Sequence, residues 1–204
     1  MEYITGTCVI NERAVYKNGE KIFSSTDKKN LLSSLYQHFN WQYPRFFKMD
    51  NLSRLGFAAA ELLLAGWDAA AYQPHEIAVV LSNANSSLDT DYKYTRTTKD
   101  IPSPSVFVYT LPNIVIGEIC IRHRFKGENA FFLSTAFDAT LLMRYVSCLL
   151  EAGVARTCIT GWVEWLGESY KAVLFLIERK ETAGALPFTT ENMDRIFKTS
   201  MTCE

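Results

Sequence analysis

The residues most suited to catalysis lie together in Ser134-Thr135-Ala136-Phe137-Asp138, directly before a helical pattern. Two hydroxyls and a carboxylate at a helix start could supply a nucleophile and a base, because the helix N-terminus stabilises negative charge. The alternative is structural: Ser134 and Thr135 end a strand by bonding backbone groups, and Asp138 caps the helix. The sequence shows no Ser-His-Asp pattern, so it favours the structural interpretation.

The cysteines and histidines offer no second site. Cys148 is the cysteine nearest in sequence to this segment, but it lies about three turns down the predicted helix. The cysteines are odd in number and none form a CxxC pair, so we expect reduced thiols, a cytoplasmic location and neither a metal nor a cofactor. They are Cys8, Cys120, Cys148, Cys158 and Cys203. The three histidines, His38, His75 and His123, are expected to be structural or solvated.

Apolar periodicity predicts one α/β domain over residues 1–204, with its core at about 50–180. Strands are predicted at 3–10, 76–82, 129–135, 154–163 and 171–179, and helices at 50–66, 112–121 and 138–151. Residues 11–50 form an N-terminal excursion with one short helix near 29–38. Residues 83–105 form a long polar loop, and 181–204 form a polar tail with room for one short helix.

Several short motifs share the order and spacing of the β-ketoacyl synthases. They are Tyr109-Thr110-Leu111-Pro112-Asn113, Gly117, Arg122-His123, Gly127 and Ser134-Thr135-Ala136. The strand Thr160-Gly161-Trp162-Val163-Glu164 also resembles that family's small-residue strand. Over residues 50–180, the chain therefore resembles the N-terminal half of a ketosynthase of the thiolase-like superfamily. The resemblance implies an α/β fold with a mixed five-stranded sheet, order 3-2-1-4-5, strand 5 antiparallel, and helices on both faces.

The resemblance also places Phe137 where the family carries its nucleophilic cysteine, with Asp138 adjacent. A phenyl ring has no nucleophilic atom, so it cannot hold an acyl group as a thioester. Family members continue into a homologous C-terminal half that supplies two histidines, and this sequence has no such half. We therefore expect no catalytic residue in this chain alone. Trp162 and Trp165 stand near small-residue positions and are expected to crowd the acyl tunnel.

Partner surfaces follow from the same resemblance. It implies dimerisation through an edge strand formed by Asn129, Ala130, Phe131, Phe132, Leu133, Ser134 and Thr135. The basic run Arg122, Arg124 and Lys126 could receive an acidic acyl carrier protein, and ordinary solvated charges are the alternative. Helix 138–151 is apolar over most of its circumference, which predicts an exposed apolar flank unless the N-terminal excursion or the C-terminal tail covers it.

Two functions follow as hypotheses. The first is a non-catalytic ketosynthase-like subunit, resembling a chain-length factor or scaffold, in fatty-acid, polyketide or polyene-type biosynthesis. It would form a homodimer or pair with a full-length ketosynthase. The second is a β-ketoacyl-acyl-carrier-protein synthase-type acyltransferase that uses a different or partner-supplied nucleophile, and a protein retained only for its fold is a third possibility. A net charge of -1 argues against nucleic acid, and no apolar run is long enough to span a membrane.

Overall fold

A mixed eight-stranded sheet with helices on both faces is the framework of the molecule. The computed structural model describes residues 1–25, 30–99 and 101–202. The strands are β1 Tyr3–Ile10, β2 Ala14–Lys17, β3 Glu20–Ser24, β4 Ile77–Asn83, β5 Asn129–Leu133, β6 Thr157–Leu166, β7 Ser169–Glu178 and β8 Leu186–Pro187. The helices are α1 Leu31–His38, α2 Asn51–Leu64, α3 Leu88–Thr97, α4 Pro104–Phe107, α5 Ile114–His123, α6 Ala139–Glu151 and α7 Thr190–Thr202.

The strand order is β3-β2-β1-β7-β6-β4-β5, with β8 paired to one end of β1. Strand β4 is parallel to both β5 and β6, whereas β7 is antiparallel to both β6 and β1. Helices α1, α2 and α5 pack on one face of the sheet, which we call the α2 face, and α6 and α7 pack on the other, the α6 face. The predicted fold class is confirmed, including the antiparallel fifth strand.

The first predicted strand, however, has a different position from the one expected. In the numbering of the five predicted strands, the observed order is 3-2-4-5-1 instead of 3-2-1-4-5. The reason is that β1 turns back at Asn11 into β2 and pairs with it as an antiparallel hairpin. A strand with one edge taken by its hairpin partner cannot also lie between β4 and β6, so β1 pairs with β7.

The N-terminal excursion over 11–50 is more regular than predicted. Strands β2 and β3 form a hairpin whose turn contains Asn18 and Gly19, at φ of 51° and 84°. Asn-Gly in this conformation is typical of two-residue hairpin turns, so this dipeptide could have revealed the hairpin. The short helix expected near 29–38 is found as α1, Leu31–His38, and residue 29 lies outside the described residues.

The predicted polar loop over 83–105 instead contains α3 and the start of α4. Thr90 is the one buried residue of α3, so the helix has no apolar stripe by which a sequence pattern could indicate it. Asp89 and Asp91 lie in its first turn, where carboxylates favour helix formation.

Helix α5 begins at Ile114, two residues after the predicted Pro112, and ends at His123, with Arg124 in the left-handed conformation at φ 61°. The other predicted helix near the start of the core is also present. Asp50 caps α2 by accepting a 2.9 Å hydrogen bond from the Ser53 amide. Within the described residues, no single helix is long and apolar enough to cross a membrane; the bent pair Pro104–Thr110 and Ile114–His123 meets those criteria only when both parts are taken together.

The C-terminal tail over 181–204 contributes to the core, in contrast to its polar appearance. Helix α7 is 13 residues long, and Phe188 and Met193 are buried against the α6 face. Of the alternatives for the apolar flank of α6, coverage by the C-terminal tail is therefore the one observed. Residues 203 and 204 lie outside the described part of the chain.

Gly161 permits the close approach of β6 and β7. Its φ is +149°, and a Cβ atom built there would lie 2.0 Å from the Val173 carbonyl oxygen. That distance is shorter than any real carbon contact, and the obstructing atom belongs to the backbone. The pairing of β6 with β7 therefore requires glycine at position 161.

We predict that Gly161→Ala lowers the free energy of unfolding by about 2–3 kcal/mol, because a side chain there forces the hairpin apart. Urea unfolding measures the change. Gly117→Ala is the matched control: Gly117 lies inside α5 with nothing within 4 Å of an added Cβ. Its expected effect is a gain of about 0.5 kcal/mol, and equal stability of the two variants would contradict the assignment.

Candidate functional site

The connection from β5 to α6 is the candidate site, because it follows the carboxyl end of a strand in the parallel part of the sheet. Helix α6 begins at Ala139, and Asp138 is its N-cap, accepting a 2.9 Å hydrogen bond from the Leu141 amide. The structural role predicted for Asp138 is therefore confirmed. Phe137 immediately precedes this cap and is partly buried.

Phe137 is held within an aromatic cluster contributed by distant parts of the chain. Its ring stacks on Phe197 of α7, with centroids 4.3 Å apart and an interplanar angle of 6°. Trp162 of β6 and Phe175 of β7 each lie 6.3 Å from Phe137, between ring centroids. We call Phe137, Trp162, Phe175 and Phe197 the aromatic cluster. The position at which the family resemblance leads one to expect a nucleophile is thus filled by packed rings.

The neighbouring hydroxyls do not form a catalytic arrangement. Ser134 donates a 2.9 Å hydrogen bond to the Ala136 carbonyl, and its backbone amide donates to the Asn83 carbonyl at 3.0 Å. Both bonds close the end of β5, as the structural interpretation predicts. Thr135 is exposed.

Burial makes three of the described thiols less acidic. Burial raises the pKa of Cys8 to about 12 and that of Cys120 to about 11. Burial also raises the pKa of Cys158 far above its ordinary value. Cys148 lies exposed on α6, and Cys203 lies outside the described residues. Because only a thiolate is a strong nucleophile, the three buried thiols are unreactive at neutral pH.

The histidines do not converge on Phe137. His38 contacts Phe23, and His123 Nε2 lies 3.0 Å from Glu61 Oε1, both among elements of the α2 face. His75 precedes β4, at the end of the sheet opposite to Phe137. In the part of the chain that the structure describes, no group of three His, Cys, Asp or Glu side chains is arranged to hold a metal ion.

The two tryptophans expected to crowd the tunnel are separated by the sheet. Trp162 lies on the α6 face in the aromatic cluster, as expected for a residue next to Phe137. Trp165 lies on the α2 face and stacks on Tyr170, with ring centroids 4.3 Å apart. The two residues are three apart on one strand, and the alternation of side chains directs them to opposite faces. The expectation for Trp165 is therefore wrong.

Glu164, the last residue of the small-residue strand, fixes the loop that follows β4. Its Oε2 accepts hydrogen bonds from the Ala84 amide at 2.8 Å and the Asn85 amide at 3.2 Å. Its Oε1 is buried and has no hydrogen-bond partner among the described residues. Because one carboxylate accepts hydrogen bonds from two successive backbone amides, it restrains the loop after β4.

Lys171 is a polar member of the site that sequence reasoning missed. Its ammonium group lies 3.7 Å from the centroid of the Phe197 ring and donates a 2.9 Å hydrogen bond to the Phe197 carbonyl. Burial lowers the pKa of Lys171 to about 8. The strand pattern places Lys171 on the α6 face, but its partner belongs to a tail that the sequence describes as polar. Sequence alone could not have paired them.

The predicted dimer edge lies at the end of the sheet. Strand β5 pairs with β4 on one side and has no strand on its other side among the described residues. The Glu128 carbonyl and Ser134 amide both bond to β4, so Asn129, Phe131 and Leu133 direct their backbone groups outward. The burial of β5 is only partial, which is consistent with an edge strand.

The basic run near the end of α5 is only partly available to a partner. Arg122 forms two hydrogen bonds to Glu61, at 2.9 and 3.0 Å, whereas Arg124 and Lys126 are exposed. Burial raises the pKa of Glu61, but hydrogen bonds from His123 and Arg122 outweigh it and lower the pKa to about 2. The Arg122 guanidinium therefore remains committed to an internal carboxylate.

We predict that Lys171 makes stability depend on pH. The native amine loses its proton near pH 8 and the unfolded amine near pH 10.5, so between these values the unfolded state binds more protons. Wild-type stability should therefore rise through this window relative to Lys171→Met. The expected change is at most about 1 kcal/mol, because the group is partly solvated.

Urea unfolding at about pH 7.5 and about pH 9.5 measures this difference. Lys198→Met is the matched control, since the Lys198 side chain, on α7, is 75% exposed. A constant difference between wild type and Lys171→Met at both pH values would refute the assignment.

Comparisons with known proteins give the fold but no close relative. No family model matches the sequence, and no curated protein matches it. The structure is similar to the ishigamide ketosynthase/chain length factor, with a TM-score of 0.67, 20% identity, and coverage of 89% of this chain and 63% of that one. It is also similar to a β-ketoacyl synthase from Burkholderia phymatum, with a TM-score of 0.61, 12% identity, and coverage of 88% and 59%.

A third similar structure is a chain from the complex of a ketosynthase with its chain length factor from Xenorhabdus doucetiae. The TM-score is 0.59 and the identity 12%, and the alignment covers 98% of this chain and 91% of that one. The chain thus spans about three fifths of the other two structures and nearly the whole of this one. With sequence identities this low, the likeness concerns the fold, and the chain has the thiolase-like fold of the ketosynthases.

Proposed function

We propose that this chain is a non-catalytic ketosynthase-like subunit that pairs with a catalytically complete ketosynthase, in the manner of a chain-length factor. The observation that carries the proposal is the packing of Phe137. On a ketosynthase fold, the start of the helix after β5 is the place for a nucleophile, and here a phenyl ring stacked on Phe197 occupies it. Such a site provides shape and rigidity without covalent chemistry.

The free edge of the sheet supports a partnership. Leu133, at the end of β5, is 57% exposed, and Phe107, Val108 and Leu111 are exposed to a similar degree in the segment before α5. The hydroxyl of Ser87, in the loop after β4, donates a 2.7 Å hydrogen bond to the Thr110 carbonyl, which joins this segment to the strand that pairs with β5. An unpaired strand edge beside apolar side chains is suited to extension of the sheet by another chain.

The proposed setting is the biosynthesis of a fatty acid, polyketide or polyene, in the cytoplasm. Both structures described above that contain a chain length factor also contain a ketosynthase, which supports a heterodimer over a lone subunit. An acyl carrier protein is a further proposed partner of the assembled pair. Of the basic run, Arg124 and Lys126 are the exposed residues that could contact it.

We predict that Leu133→Lys weakens association with the proposed ketosynthase partner by about tenfold or more, because it inserts a charge beside the outward-facing strand edge. Co-purification and analytical ultracentrifugation measure the association. Val154→Lys is the matched control, since Val154 is also exposed, at 48%, but lies after α6. Equal loss in both variants, or none in either, would argue against β5 as the partner edge.

The chain alone should neither accept an acyl group nor decarboxylate a malonyl thioester. Intact mass spectrometry after incubation with acyl and malonyl carrier-protein thioesters measures both reactions. Phe137→Cys should restore a thiol at the helix start but no decarboxylation, because no histidine lies beside the aromatic cluster among the described residues. A covalent acyl adduct on the wild-type chain would instead favour the acyltransferase hypothesis.

A further inference from the structure

A groove separates α7 from the first two strands on the α6 face of the sheet. Its cavity volume is about 450 Å³. Ile4 and Val9 of β1 form its floor, Tyr16 of β2 and Ile196 of α7 form its walls, and Leu186 of β8 lines it as well. The groove does not include any residue of the aromatic cluster.

The groove exists because two helices cannot cover this face of an eight-stranded sheet. Helix α7 is fixed by Met193 in the core and by the stacking of Phe197 on Phe137. The hairpin of β1 and β2 extends beyond the strands that α6 and α7 cover. Ile196 is only partly buried, and it borders the space that remains. Small-molecule sites have volumes of about 300–1000 Å³ and mainly apolar linings, and this groove satisfies both conditions.

Arg195 gives the groove a single cationic group among its described lining residues. Its Nη2 donates a 2.9 Å hydrogen bond to Asn192 Oδ1, and no described carboxylate forms an ion pair with it. The nearest other charges after Met193 face each other, since Lys198 Nζ lies 4.0 Å from Asp194 Oδ2. The guanidinium therefore keeps donors for a planar anion, which it can bind through two parallel hydrogen bonds.

We propose that this groove binds an aliphatic carboxylate, with the alkyl chain on Ile4, Val9 and Ile196 and the carboxylate on Arg195. An apolar groove with one cation at its rim is complementary to an anion that carries an alkyl chain. Burial of the methylene groups provides most of the affinity, and the arginine provides orientation and selects the sign of charge. The inference does not depend on the proposed partnership with a ketosynthase.

Isothermal titration calorimetry of the isolated chain with dodecanoate, below its micelle concentration, tests the proposal. One saturable site is expected, and dodecyltrimethylammonium, which has the same chain but the opposite charge, should bind at least about tenfold more weakly. Comparable binding of the two amphiphiles, or no saturable binding of dodecanoate, would overturn the proposal.

Variants then locate the site. Arg195→Gln should weaken dodecanoate binding by about tenfold, because it removes a charge-assisted contact. Lys198→Gln removes the same charge from the same helix outside the groove and should bind as wild type does. Thr199→Trp should fill the groove and abolish binding, and circular dichroism checks that each variant remains folded. If Arg195→Gln and Lys198→Gln behave alike, the site is not this groove.

Discussion

The stacking of Phe137 on Phe197 is the contact on which the α6 face depends. It joins the turn before α6 to the C-terminal helix, two parts of the chain that are distant in sequence. With Trp162 and Phe175 it makes a packed cluster on the sheet, and Lys171 adds an ammonium group over the Phe197 ring. Because aromatic pairs of this kind exclude water and bury large areas, the same contact closes the site and anchors α7.

The anchoring of α7 has two consequences for the surface. The helix covers the part of the sheet that lies over β6 and β7, so the apolar side of α6 is not left open to solvent. A groove beside Arg195 remains between this helix and the first two strands. The position of α7 thus decides which part of this face belongs to the core and which part is available to a ligand.

The polar chemistry of the molecule lies mostly on the α2 face, away from Phe137. Glu118 accepts hydrogen bonds from Arg45 and from Tyr109, at 2.9 and 3.0 Å, and Glu61 is held by Arg122. Both carboxylates are buried and paired with cations, and the Glu61–Arg122 pair joins α2 to α5. On the α6 face, Glu164 binds backbone amides and Asp138 caps a helix.

The sequence by itself determined the α/β class, the strands of the core, the cap at Asp138, and the absence of a nucleophile at Phe137. These features are local. The apolar periodicity of a segment indicates a strand or helix, and a capping residue lies within three residues of the amide that donates a hydrogen bond to it. The tertiary structure decided the place of β1, the side of the sheet that each tryptophan faces, the environment of Lys171 and the role of the C-terminal helix. Each of these depends on contacts between distant segments, such as β1 with β7 and Phe137 with Phe197. Sequence periodicity indicates that a face is apolar, but only packing decides what covers it.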